Sequence, residues 1–254
     1  MRYILIILFC FATTLIGAQT TYYIDPAGDD GTGDGSSGNP WETIAYGISQ
    51  ASSGDTVYLK AGTYSVSSQI ALPIGVNLKG GGATSIISST VSSSSTYTIL
   101  LASASEGTDG NQTISHIKFD GNSITAWGAI GVHARSNVRI FNCEFYDFAA
   151  GGVMFNGRTG YSESPPTTWA TGNEFYSNTV ENCSRYTSHG TGSLAIGGQE
   201  GMLVYDNKID QTQREAGSNG YPIKYYGAGQ NKGLKIYNNT LLRYADGVCN
   251  YDFA

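Results

Sequence analysis

The chain has 254 residues, and its 14 Lys and Arg against 20 Asp and Glu leave a formal net charge of −6 and a sequence pI near 5.0. That balance argues against a nucleic-acid partner but leaves room for local basic patches. Four cysteines without CxxC or Cys/His ligand spacing give neither a readable disulfide framework nor a zinc site.

Met1 to Ala18 carries Arg2, an apolar run from Tyr3 to Phe11, and the small residues Gly17 and Ala18. This reads as a secretory signal peptide: its apolar run is too short to span a bilayer comfortably, and Phe9 before Cys10 is too large for lipoprotein processing. The mature chain is expected to be secreted, without a membrane span, and monomeric. Export leaves Cys143, Cys183 and Cys249, of which the first two read as buried small hydrophobes.

Residues 19–56 form an N-terminal segment. Tyr22 to Trp41 (YYIDPAGDDGTGDGSSGNPW) is a short strand followed by a Gly-rich loop with Asp25, Asp29, Asp30 and Asp34. Oxygen ligands on a loop suit calcium, but the D-x-D-x-D-G register is missing. A solvated loop is the preferred reading, with calcium the one cofactor held open. Thr43 to Ala51 then places Ile44, Ile48 and Ala51 on one helical face, with Gly54 as a stop signal. Such a helix would cap the open end of a stack of coils.

Tyr22 to Tyr64, from YYIDPAG through GNPWETIAYGISQASSGDTVYLKAGTY, resembles the N-terminal part of secreted right-handed parallel β-helix proteins of the pectate lyase-like superfamily. The resemblance implies an all-β fold, a right-handed parallel β-helix over 57–254 with a short N-terminal capping helix. It says little about activity, because lyases, glycosidases and epimerases share this beginning.

The second half carries its own signature of that fold. Ile140 to Phe145 (IFNCEF), Phe175 to Val180 (FYSNTV), Val204 to Ile209 (VYDNKI) and Ile236 to Leu241 (IYNNTL) share one frame: apolar, aromatic, polar, Asn or Cys, polar, apolar. Ile114 to Phe119 fits it with Ile117 in the Asn column, and successive starts lie 26, 35, 29 and 32 residues apart, the interval of stacked-coil proteins. One coil of short strands cannot bury its own apolar side, so the coils must stack about 4.8 Å apart. At that spacing Asn178, Asn207 and Asn239 would form a ladder of hydrogen-bonded amides, with Cys143 in the same column one coil earlier.

The strand before each of these segments points to a site. Alternation along 130–135, 153–158, 194–199, 223–226 and 248–251 turns Ile130, Val153, Leu194, Ile223 and Val248 inward. Two outward rows follow: Gly131, Met154, Ala195, Lys224, Cys249, and His133, Asn156, Gly197, Tyr226, Tyr251, with Arg135 and Arg158 at the strand ends. Small residues ringed by cations, an amide and phenols would suit an extended saccharide.

The superfamily's lyases are expected to cleave uronic-acid polymers on such a face by β-elimination. The resemblance therefore implies a base beside a carboxylate neutraliser. Lys224 is the leading candidate base, since an ammonium partly withdrawn from water near other cations can lose its proton near neutral pH, and His133 is the alternative. Arg135 and Arg158 are candidate carboxylate clamps. Asn156, Tyr226 and Tyr251 complete the candidate substrate-binding set. A glycosidase would need two carboxyl groups across the bond. Glu174, Glu181, Glu200 and Asp210 read as scattered over different coils and faces, and the Ser188 to Gly198 stretch resembles polygalacturonases only without their aspartate motifs, so His189 reads as a loop residue. The expected function is thus a polysaccharide lyase acting on an acidic glycan, against a non-catalytic carbohydrate-binding or adhesive β-helix and a hydrolase. Asp246 to Ala254 begins another coil without a cap, so the chain reads as the N-terminal part of a longer protein.

Overall fold

The structure is a computed structural model that describes residues 18–91, 98–123, 127–160, 164–184, 192–212, 220–225, 230–243 and the backbone of Val248–Asn250. The leader before Ala18, His189, Tyr226, Tyr251 and the side chain of Cys249 lie outside the described residues. No helix among the described residues is long and apolar enough to cross a membrane.

Strands stack in parallel register into three faces that wind as a right-handed parallel β-helix. Each face has an inward column. On the first, Val57, Leu78, Ile114, Ile140, Phe175, Val204 and Ile236 lie one above the other. On the second the column is Tyr64, Ile87, Phe119, Phe145, Val180, Ile209 and Leu241. On the third it is Ile70, Leu100, Ile130, Val153, Leu194 and Ile223. These columns meet in one core running the length of the stack. Each large apolar side chain so buried contributes about 1.5–3 kcal/mol.

The corner between the first and second faces explains the repeat frame. Asn142, Ser177, Asp206 and Asn238 all adopt left-handed backbone, with φ of 52–55°. That bend turns the next residue inward. Asn207 Oδ1 accepts from the backbone N–H of Asn178 at 3.0 Å and from its side-chain Nδ2 at 3.1 Å, while Asn207 Nδ2 donates to the Phe175 carbonyl at 3.0 Å and to Asn239 Oδ1 at 2.8 Å. Asn178 repeats the pattern one coil earlier, accepting from Cys143 N–H and donating to the Ile140 carbonyl. The expected ladder is present, and each rung satisfies backbone groups that the corner would otherwise leave buried and unpaired. Cys143 and Cys183 are buried, and burial pushes the Cys143 thiol up to about 12.

Outside the first face, the residue preceding each bend forms an aromatic row. Phe141, Tyr176, Tyr205 and Tyr237 stack with centroids 4.8–5.1 Å apart and planes within 6°. By register the row continues back through Ser115 and Lys79 to Tyr58 and Tyr23.

The capping helix spans Ile44–Gln50, with Thr43 as its N-cap accepting from the Tyr46 N–H. Ile44, Gly47 and Ile48 face the first coil. A Cβ at Gly47 would lie 2.2 Å from Ile24 Cδ1, so glycine is what lets the helix seat on the stack.

Candidate functional site on the third face

Strand register places the two outward rows of the third face as alternation predicts. Gly131, Met154, Ala195, Lys224 and Cys249 are successive partners, and so are His133, Asn156 and Gly197. Exposure differs from expectation. Met154, Ala195 and Asn156 are buried, Lys224 is 9% exposed and His133 only 5%. The rows therefore form a nearly closed floor and not an open ledge.

Part of the cover at the His133 end comes from the segment after Asn156. Asn156 Nδ2 donates to the Gly160 carbonyl at 3.0 Å and its Oδ1 accepts from the Arg158 N–H at 3.1 Å, folding residues 157–160 into a tight turn. Thr159 ties that turn down through the Ala104 carbonyl at 2.8 Å. Burial lowers the pKa of His133, while a hydrogen bond to the Thr159 backbone works weakly the other way. Asn156 thus builds the wall of the site.

Lys224 rises beside Gly192, where any Cβ would come within 2.7 Å of Lys224 Cβ. Its register partners in the row are Ala195 on one side and Cys249 on the other. Three coil steps separate Lys224 from the coil of His133, about 14 Å along the axis at the spacing of paired strands. The two candidate bases do not converge on one atom.

The arginines part company. Arg158 Nη1 donates to the carbonyls of Ser164 and Pro165, its Nε lies 3.5 Å from Glu106, and its side chain keeps partial exposure at the rim. Glu106 in turn accepts from the Thr167 hydroxyl and from the N–H groups of Thr167 and Thr168, which hold its carboxyl below the usual range. Arg135 corrects the expectation of a clamp. It is 3% exposed, and it donates to Gln112 Oε1 at 2.6 Å, to the Ser103 carbonyl at 2.7 Å and to the Pro73 carbonyl at 3.3 Å. Burial lowers its pKa to about 10. The cause of its placement is Ala134, which has φ of +54° and turns the chain so that Arg135 points into the corner.

That corner, between the third and first faces, holds a second set of polar rungs that sequence reading missed. Asn173 Oδ1 accepts from the Val138 N–H, and its Nδ2 donates to the Arg135 carbonyl and to Gln199 Oε1. The Gln199 N–H donates to Asn231 Oδ1 one coil further on. A signal existed: Gln112 and Asn173 stand at the same offset before Ile114 and Phe175. Nearby, the Lys232 ammonium sits 4.1 Å from the Trp169 ring centroid.

The acids are arranged more closely than their spacing suggests in one instance. Glu181 and Asp210 are register partners on adjoining coils of the second face. Asp210 is buried and held by both Nε and Nη2 of Arg243, so it is committed to an ion pair. Glu174 lies on the first face and Glu200 at the corner beside it. In the N-terminal loop the carboxylates turn onto their own backbone: Asp29 accepts from Gly31 and Thr32 N–H, Asp30 from Glu42 and Thr43, and Asp34 from Ser36. Asp25 pairs with Lys60 at 2.8 Å. No group of three or more His, Cys, Asp or Glu among the described residues is placed to hold a metal ion.

Residues 72–241 match the family described as right handed beta helix region. No curated protein matches the chain by sequence. Among solved structures it is similar to a rhamnogalacturonan lyase, with a TM-score of 0.60 at 15% identity over 87% of this chain and 68% of that one. It is also similar to an alginate lyase from Paenibacillus sp. str. FPU-7 (TM-score 0.52, 14% identity, 87% and 75% of the two chains) and to a GH136 lacto-N-biosidase from Eubacterium ramulus (TM-score 0.51, 12% identity, 87% and 56%). At these identities the likeness is one of fold.

Proposed function

The chain belongs to the family of right-handed β-helix regions, and from that premise we propose that it is a secreted, monomeric carbohydrate-active protein that cleaves an acidic polysaccharide by β-elimination. The observation that carries this reading is Lys224, an amine in an outward row of the third face that is 9% exposed and stands in register with Ala195. Withdrawal from bulk water disfavours the ammonium form of an amine, and only the neutral amine can accept a proton as a general base must. In the proposed step Lys224 takes the C5 proton of a uronate. The C5 electron pair forms the C4–C5 double bond, and the C4 oxygen departs with the bonding pair to be protonated. Arg158, partly exposed at the rim, is the arginine placed to meet the substrate carboxylate, while Asn156 shapes the wall. Tyr226 and Tyr251 keep their proposed role as sugar contacts. His133 is the alternative base for a sugar bound three coils away.

Two similar structures carry lyase in their names, a rhamnogalacturonan lyase and an alginate lyase, which supports the choice of polymer class. One observation favours a second reading, a non-catalytic glycan-binding β-helix: the described residues of both rows of the third face are nearly closed to solvent. The deciding experiment follows ultraviolet absorbance while the mature chain is incubated with pectate, alginate, rhamnogalacturonan and neutral glycans, with and without added calcium. The lyase reading expects a rise with one uronate polymer that Lys224→Ala abolishes. A rise that survives Lys224→Ala but not His133→Ala moves the base to His133. No rise on any polymer with folded protein sinks elimination in favour of binding, and new reducing ends without the absorbance would mean hydrolysis.

A further inference from the structure

The outside of the first face carries a strip that the third-face site does not use. Its aromatic row is unusually regular: the ring faces of Phe141, Tyr176, Tyr205 and Tyr237 cover one another, so each presents its rim outward at the coil spacing. Three of the four rims are phenol hydroxyls, held in line by stacking before any ligand arrives, which lowers the ordering cost of binding.

The neighbouring outward row runs Thr113, Arg139, Glu174, Leu203, Lys235. Its one carboxylate is engaged, since Glu174 Oε2 accepts from the Tyr205 hydroxyl at 3.0 Å. Arg139 and Lys235 are exposed. Among the described residues neither has a carboxylate within salt-bridge distance, and nor does Lys79 in the aromatic row. The strip therefore sets three cations, Lys79, Arg139 and Lys235, against the single carboxylate of Glu174, a net positive surface on a chain whose net charge is −6. Where Thr113, Arg139 and Glu174 meet, a polar cleft of about 420 Å³ opens, bordered by Asn111 and Asn137. That size lies within the range of small-ligand sites, and its amides, hydroxyl and ion-pairing groups suit a polyol better than an apolar ligand.

We propose that this strip is a second binding surface, for an acidic glycan lying along the helix axis. Its carboxylates meet Arg139 and Lys235, its hydroxyls meet the tyrosine rims, and one sugar unit occupies the cleft. An extended hexopyranose chain advances by nearly one coil spacing per residue, so contacts recur in step. Peptide capture by strand addition needs a free sheet edge, whereas this surface is the flat outside of paired strands. The proposal shares with the lyase reading only the class of polymer and holds whether or not the third face is catalytic.

The test is calorimetric titration of the mature chain with polygalacturonate, alginate and a neutral galactomannan, alongside Arg139→Ala/Lys235→Ala and Tyr237→Phe, with circular dichroism to establish that each variant is folded. The expected result is binding to at least one uronate polymer and not to galactomannan, weakened about tenfold or more in the double variant through lost charge-assisted contacts. Tyr237→Phe, which removes one exposed hydroxyl, should weaken it less. Undiminished binding by the folded double variant overturns the proposal, as does the absence of binding to both uronate polymers. So does a double variant that changes its sedimentation behaviour but not its glycan affinity, which would make the strip an interface between copies. Elimination is read separately by absorbance, so a failed lyase reading with intact binding leaves the strip standing.

Discussion

Arg135 and His133 lie two residues apart on one strand and make opposite demands on the fold. Arg135 is a buried cation whose two terminal nitrogens donate to Gln112 and two carbonyls, while its Nε finds no partner. Removing the guanidinium takes away the donor to Gln112 Oε1 and to the Ser103 carbonyl, at about 1–3 kcal/mol for each group left unsatisfied. Arg135→Met should therefore lower unfolding stability by about 2–4 kcal/mol in urea titrations. A residue acting only as a substrate clamp would instead leave the urea midpoint where it was and raise KM. His133 is held neutral, its pKa below the ordinary 6.5 because of burial. Once pH falls below that ordinary value, the unfolded chain takes up a proton that the folded chain refuses. Stability then falls with falling pH until the lowered folded pKa is reached. Calorimetric Tm values between about pH 7 and pH 5 should show this decline, and it should be shallower in His133→Gln; equal slopes would mean that His133 is not the group responsible.

At the scale of elements, the corners are what distinguish this chain from a generic stack of strands. Asn207 alone closes four hydrogen bonds in a buried bend. Asn207→Ala is expected to cost about 2–4 kcal/mol, read as a drop in the urea midpoint, because it orphans a carbonyl and an N–H that water cannot reach. The ladder was legible in the sequence because Ser177, Asp206 and Asn238 are residue types that tolerate or favour turns, and an Asn follows each. The other corner was not legible. Ala134 gives no warning that its φ is positive, since left-handed backbone is uncommon outside Gly, Asn and Asp. Strict alternation through Arg135 therefore sent it outward, toward solvent. The in-and-out rule placed Lys224, His133 and Asn156 in the correct rows, because the bend at Ala134 comes only after His133 and the strands of Asn156 and Lys224 contain none. What it could not supply was the cover over those rows, which depends on how turns such as 157–160 fold back, and that is decided by single contacts like Asn156 to Gly160. The capping helix was readable from Ile44 and Ile48, while the close seat that Gly47 permits emerges only against Ile24.

For the molecule as a whole, each coil touches mainly the coils above and below, so stability is a chain of nearest-neighbour terms and not one indivisible core. The central coils are packed on both sides, and the N-terminal end is shielded by the helix over Ile24 and Val57. Hydrogen exchange should accordingly be slowest for amides of Ile114, Ile140 and Phe175 and faster for Thr240–Leu242, where burial is already partial. Uniform protection from end to end would mean that the stack opens only as a unit.

The inward columns also have a genetic consequence. Every coil offers its neighbours the same apolar positions and the same bend, so a duplicated or deleted stretch of one period, 26–35 residues in this chain, joins column to column. Misaligned recombination between coding repeats can then lengthen or shorten the protein by whole coils while side chains keep equivalent partners. Loss of a single codon within a strand does the reverse, turning its inward set outward. Selection on such a gene would see length change in quanta.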